Sequence, residues 1–118
     1  MPSILIIDDD AEYRGGLKIF LEDKNYKVLE AADGKEGLLL LDRDQVDLVI
    51  TDIVMPEREG IEVIQAMRRQ RPELKIIALS AAQPSILRIA NKLGADAAFP
   101  KSLPLDQIAE MIDGVVRG

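Results

Sequence analysis

Cysteine, histidine and tryptophan are all missing from this 118-residue chain. Without cysteine there is no disulfide and no thiolate metal site, and the redox compartment is left open. Without histidine the usual general base and the commonest transition-metal ligand are both gone. Aromatic residues amount to only 3% of the chain, so aliphatic side chains have to fill the core. No apolar run approaches the roughly 20 residues that span a bilayer. The N-terminal stretch MPSILIIDDD lacks the basic region of a signal peptide. A soluble cytoplasmic protein without membrane attachment is the expectation. Positive charge is also short: 15 basic against 21 acidic residues leave a net charge of −6, which disfavours direct binding to nucleic acid and suits a cation instead.

What is present is a rhythm of short apolar runs and amphipathic stretches, of a length that suits a single domain over residues 1–118. The pattern predicts strands at Ser3–Ile7, Tyr26–Ala31, Asp47–Thr51, Lys75–Leu79 and Ala97–Phe99. It predicts helices at Ala11–Asp23, Lys35–Asp42, Ile61–Arg71, Ser85–Leu93 and Leu105–Val116. In the last of these, Leu105, Ile108, Ile112 and Val115 share one face, the spacing of a helix laid on a sheet. Strands buried on both sides appear as unbroken apolar runs, as ILII, DLVI and KIIAL do. The fold class is therefore α/β, a doubly wound, five-stranded parallel sheet; the common order of a (βα)5 flavodoxin-like sheet, 2-1-3-4-5, is the expectation. Right-handed crossovers gather every strand's C-terminal end on one edge, with a crevice where strands 1 and 3 meet.

That edge collects an unusual set of groups. Strand 1 delivers Asp8, Asp9 and Asp10, strand 3 delivers Asp52, strand 4 ends in Ser80 and Ala81, and strand 5 leads to Lys101. Taken singly, each has an ordinary explanation: Asp10 suits a helix N-cap, Ser80 a loop hydroxyl and Lys101 a surface charge. Together, four separate loops each bring a suitable group to one place. Carboxylates that converge repel one another unless a cation joins them. Mg²⁺ fits, being hard and accustomed to one or two carboxylates with waters and a phosphate. Ser80 can hydrogen-bond a phosphoryl oxygen and Lys101 can neutralise one. Such a set suits phosphoryl transfer to a carboxylate, which needs positioning and charge neutralisation rather than a histidine.

The segments ILIIDDD, DLVITDIVMPEREGIEVI, KIIALSA and GADAAFPK, in this order, resemble the receiver domain of two-component response regulators over essentially the whole chain. The second is the most specific, with Met55-Pro56 three and four residues after Asp52 and Gly60 eight after it. The resemblance implies that Asp52 is the phosphoacceptor, charged by a sensor histidine kinase or a histidine phosphotransfer protein. It implies that Asp9, Asp52 and the backbone carbonyl of Val54 ligate Mg²⁺, with Asp8 acting mainly through coordinated water. Ser80 and Lys101 would contact the phosphoryl group, and small Ala81 would leave it room. Such a chain is not an enzyme in the turnover sense: it catalyses only its own phosphorylation and a slow autodephosphorylation. Val54 and Ala82, which flank the phosphorus in the family, are too apolar to orient a hydrolytic water.

Two departures from the family pattern stand out. Proline usually follows the lysine, often through a cis bond; here Ser102 does, so a trans bond is expected. The family's switch aromatic falls at Ala98, with Phe99 beside it in an apolar core position, so the usual inward rotation of that aromatic is not available. In the first helix, Tyr13 and Gly16 stand where the family meets its kinase or phosphotransfer protein, and close internal packing is the other reading of Gly16. The last helix has no basic residue before Arg117, which gives little support to a charge-paired dimer; a monomer or weak dimer is expected. A fused or separate output domain is compatible with the sequence. The competing functions are a pseudo-receiver that binds without phosphorylation and, on Asp8-x-Asp10, a phosphatase of the haloacid dehalogenase type. The latter lacks the residues its motif wants after Asp10. A flavodoxin-like cofactor site is opposed by three carboxylates in the first loop.

Overall fold

The computed structural model describes residues 1–53, 59–81, 92 and 94–117. The predicted helix Ser85–Leu93, the carbonyl of Val54 and the side chain of Ala82 lie outside the described residues or almost wholly so. The elements are β1 (Ser3–Ile7), α1 (Ala11–Asp23), β2 (Lys27–Ala31), α2 (Gly34–Arg43), β3 (Leu48–Asp52), α3 (Glu59–Gln70), β4 (Lys75–Ser80), β5 (Ala97–Pro100) and α4 (Leu105–Arg117). The five strands form one parallel sheet in the order β2-β1-β3-β4-β5, as expected.

Successive residues of a strand point to opposite faces of its sheet, and this divides the core in two. Leu5 and Ile7 pack with Leu41, Val63, Ile64 and Met67 under α2 and α3. Ile4 and Ile6 pack with Leu17, Leu21, Ile108 and Ile112 under α1 and α4. All five residues of β1 and all five of β3 are buried, which is why those runs carry no polar alternation. Among the described residues no helix is long and apolar enough to cross a membrane.

Several boundaries differ from the pattern-based expectation, each for a local reason. Tyr26 belongs to the turn that leaves α1: its N–H donates to the Leu21 carbonyl, and Asn25 before it takes φ 69°. β3 begins at Leu48 because the Asp47 carboxylate turns back to accept the N–H of Ser3 at 2.8 Å. β4 and β5 each run one residue further, since Ser80 and Pro100 still pair. Helix α2 starts at Gly34, where the Asp33 side chain caps the N–H of Glu36. Among the described residues no peptide bond is cis, so the bond from Lys101 to Ser102 is trans. Phe99 packs with the α1/α4 side of the core and Ala98 with the other.

Candidate functional site

The three acids after β1 divide their tasks at once. Asp10 is the N-cap of α1, its carboxylate accepting the N–H groups of Glu12 and Tyr13 at 3.1 Å each. Asp8 turns inward and is 1% exposed, while Asp9 is exposed beside it. Asp8 Oδ1 accepts the N–H of Asp10 at 2.9 Å, which fixes the carboxylate and leaves Oδ2 directed at Lys101. Asp52, the last residue of β3, is buried on the neighbouring strand. One carboxylate oxygen from each of Asp8, Asp9 and Asp52 lies within 4.8 Å of the others.

Lys101 follows β5, two strands away from β3, and only a long side chain spans that gap. Its backbone is tied to the end of β4 by an N–H donated to the Ser80 carbonyl at 2.8 Å. From there the ammonium reaches Asp8 Oδ2 at 2.7 Å and Asp52 Oδ2 at 3.1 Å. Ser80 is fully buried at the end of β4. The structure thus brings together Asp8, Asp9, Asp52 and Lys101, and places Ser80 at the strand end beside them.

The electrostatics follow from burial. Burial pushes the Asp8 carboxyl above its ordinary value, and its contacts with Lys101 and the Asp10 N–H offset only part of that. Burial also works against the Lys101 ammonium, but two carboxylates outweigh it and hold the lysine above its ordinary value. Lysine occupies the place a cation is needed, between carboxylates that would otherwise face each other. The donor set is hard oxygen throughout, which fits Mg²⁺ and suits no softer metal.

Two further residues belong to this site: Arg14, which the sequence did not single out, and Tyr13, which it placed on a docking surface instead. Arg14 donates from Nη1 to the Asp8 carbonyl at 2.5 Å and from Nε to Glu30 at 3.0 Å, bracing the end of β1 against β2. Burial opposes the charge on Glu30, yet Arg14 and Lys18 hold its carboxyl below the usual range. Tyr13 lies against Lys101, with the ammonium 4.3 Å from the ring centroid. Its position three residues after the N-cap was the available signal, because first-turn side chains lean back over the strand end. Gly16 faces inward: a Cβ there would stand 2.8 Å from Leu105 Cδ1 of α4, so close internal packing accounts for it.

Comparison with known proteins agrees with this geometry. The profile of the response regulator receiver domain matches residues 4–113. Over 118 residues the chain is 36% identical to the transcriptional regulatory protein CpxR of Escherichia coli, covering 99% of this chain and 50% of that protein. It therefore spans about half the length of that curated relative. Among solved structures, a CheY-like receiver domain protein of Methanospirillum hungatei superposes with a TM-score of 0.89 at 30% identity, covering 99% of this chain and 94% of the other. The response regulator TrrA of Thermotoga maritima, solved in complex with Mg²⁺ and BeF, gives 0.85 at 32% identity, covering 98% and 99%.

Proposed function

The chain belongs to the response regulator receiver domain family, and on that footing we propose that it accepts a phosphoryl group on Asp52 as the switch of a two-component phosphorelay. The observation that carries this reading is the Lys101 ammonium held between Asp8 Oδ2 and Asp52 Oδ2, in a pocket where three carboxylates converge. The donor is a phosphohistidine on a sensor kinase or phosphotransfer protein. An Asp52 oxygen attacks phosphorus as the P–N bond breaks, and the leaving imidazole takes up a proton. Phosphoryl transfer of this kind is governed by positioning and charge.

Each neighbouring residue has a task in that step. Lys101 shifts from the carboxylates to the phosphoryl oxygens, moving an existing positive charge rather than recruiting one. Ser80, one strand over from Asp52, donates its hydroxyl to a phosphoryl oxygen. Asp8, Asp9 and Asp52, with the Val54 carbonyl, would hold Mg²⁺, which when bound neutralises charge on the carboxylates and the incoming group. The Mg²⁺ in the TrrA complex supports that assignment. Chemistry is confined to the chain's own phosphorylation and its slow loss, and the site of action is the cytoplasm.

Intact-protein mass after incubation with phosphoramidate or acetyl phosphate, with and without Mg²⁺, tests the reading. One phosphoryl group is expected on the wild type, dependent on Mg²⁺ and absent from Asp52→Asn. If no adduct forms and beryllofluoride also fails to bind, the chain is a receiver-like interaction module without phosphorylation.

A further inference from the structure

Tyr13 is fixed in place by elements that have nothing to do with phosphate. Its N–H is bound by the N-cap carboxylate of Asp10, and its ring packs on the core between the sheet, α1 and α4. The Lys101 ammonium lies over that ring, 4.3 Å from its centroid. The cation is therefore bounded by Asp8, by Asp52 and by an aromatic face. The Tyr13 hydroxyl is buried and finds no hydrogen-bond partner among the described residues. Burial, only partly opposed by Lys101, pushes the phenol up to about 12, so the ring stays neutral. What meets the lysine is the ring face.

Lys101 needs such support. Pro100 ends β5 just before it, but Ser102 follows through an ordinary trans bond, so the backbone immediately beyond the lysine lacks a proline ring. Its flexible stem has to cross from the end of β5 past β4 to reach β3 and β1. Hydrogen bonds to carboxylates fix an ammonium in one orientation, whereas attraction to a π-face tolerates a swing of the cation across it. That tolerance suits a lysine that has to leave two carboxylates for an incoming phosphoryl oxygen.

We propose that Tyr13 is the positioning residue for Lys101: its ring holds the ammonium at the mouth of the acidic pocket and keeps contact as the lysine turns to the phosphoryl group. The inference rests on the phosphoacceptor reading of the site, and two readouts separate their failures. The first needs no phosphorylation. In nuclear magnetic resonance spectra of the free protein, the side-chain methylene signals of Lys101 are expected upfield of ordinary lysines through the ring current. They stay upfield in Tyr13→Phe and return to ordinary positions in Tyr13→Leu, a variant whose leucine suits a helix. Ordinary Lys101 shifts in the wild type overturn the proposal whatever the chain does with phosphate.

The second readout is the rate of phosphorylation by phosphoramidate at saturating Mg²⁺, taken in the wild-type and Lys101→Met backgrounds. Tyr13→Phe is expected to stay within about twofold of the wild type and Tyr13→Leu to fall about fivefold. With Lys101 replaced, the leucine should cause no further slowing. Leucine as fast as phenylalanine, phenylalanine as slow as leucine, or an undiminished leucine effect in the Lys101→Met background would each overturn the role assigned to the ring. A wild type that takes up no phosphoryl group defeats the reading of the site instead.

Discussion

Two clusters in this molecule combine a tyrosine, a cation and a carboxylate, and they are satisfied to different degrees. At the C-terminal edge of the sheet, Tyr13 lies under Lys101, whose ammonium is shared by Asp8 and Asp52. At the opposite edge, the Tyr26 hydroxyl donates to Asp113 and accepts from Arg117 Nε at 3.0 Å. Arg117 also donates to Asp113 at 2.6 Å and to the Lys24 carbonyl at 3.1 Å, with its guanidinium over the Tyr26 ring. There the phenol is paired twice and the guanidinium is bound through Nε and Nη2, which fastens the end of α4 to the turn before β2. In the first cluster a buried phenol has no hydrogen-bond partner among the described residues, and a buried carboxylate is held above its ordinary value. The first is arranged for a change of partners and the second to prevent one. The choice of lysine, a swinging point charge, against arginine, a rigid fork, marks the same division. Local dissatisfaction concentrated at one edge is what a site of chemistry leaves in an otherwise consistent fold.

The sharpest way to break this comparison is to remove the cation from the pocket. Lys101→Met removes the ammonium that stands between the Asp8 and Asp52 carboxylates. Removing one partner of a buried pair is costly, so about 3 kcal/mol of stability should be lost near neutral pH. Urea unfolding in chelator measures it. Mg²⁺ should then stabilise the variant more than the wild type, because it no longer competes with the ammonium. Equal stabilisation of the two proteins would mean that lysine and metal do not contend for one place.

How much of this was visible in the sequence depends on the distance over which a feature is decided. The runs ILII, DLVI and KIIAL announce strands buried on both faces, and the alternation of strand and helix announces a parallel sheet, for which the common flavodoxin-like order is the expectation. Asp8, Asp9, Asp52, Ser80 and Lys101 could be gathered because parallel topology sends every strand end to one edge. Asp10 as N-cap was equally legible, since capping is local. The contact of Tyr13 with Lys101 was not, because it depends on how α1 and β5 sit across a sheet in which they share no strand neighbour. The bracing of β1 by Arg14 through Glu30 is hidden for the same reason. Tyr26 looks like strand by pattern, yet a single hydrogen bond back to Leu21 keeps it in the turn. Gly16 invited a reading as a docking surface that only the position of Leu105 could redirect.

The satisfied cluster should respond more gently and with a different dependence on pH. Tyr26→Phe removes a hydroxyl that serves two partners and should cost about 1 kcal/mol at neutral pH. Its hydrogen bond, then Arg117, holds the Asp113 carboxyl below the ordinary 3.8. A depressed acid contributes stability above its unfolded value that is lost as pH falls through the folded one. Burial, and then the bond to Asp113, raises the Tyr26 phenol above 10.0, so its contribution is lost as pH climbs past that value. The gap between wild type and variant should therefore be flat from weakly acidic to weakly basic pH and close at both ends. Denaturant titrations across that range test it, and a gap independent of pH would mean that the hydroxyl matters by packing alone.

The smallest expected effect separates two adjacent glycines of α1. A Cβ on Gly15 meets nothing within 4 Å, whereas one on Gly16 meets Leu105 Cδ1 at 2.8 Å. Alanine relieves the entropic penalty of a glycine inside a helix, so Gly15→Ala should stabilise the fold by about 0.5–1 kcal/mol. Gly16→Ala gains the same entropy but must displace Leu105, the residue that opens α4 and packs beside Tyr13 on one core. Its net gain should be smaller or absent, and the displacement should be felt at the pocket. Comparing melting temperatures of the two variants with their rates of phosphorylation by phosphoramidate tells the two positions apart. Gly15→Ala should raise the first and leave the second alone. If Gly16→Ala does likewise, α1 and α4 are less tightly engaged than that approach implies, and the support beneath Tyr13 comes from the sheet rather than from the helix beside it.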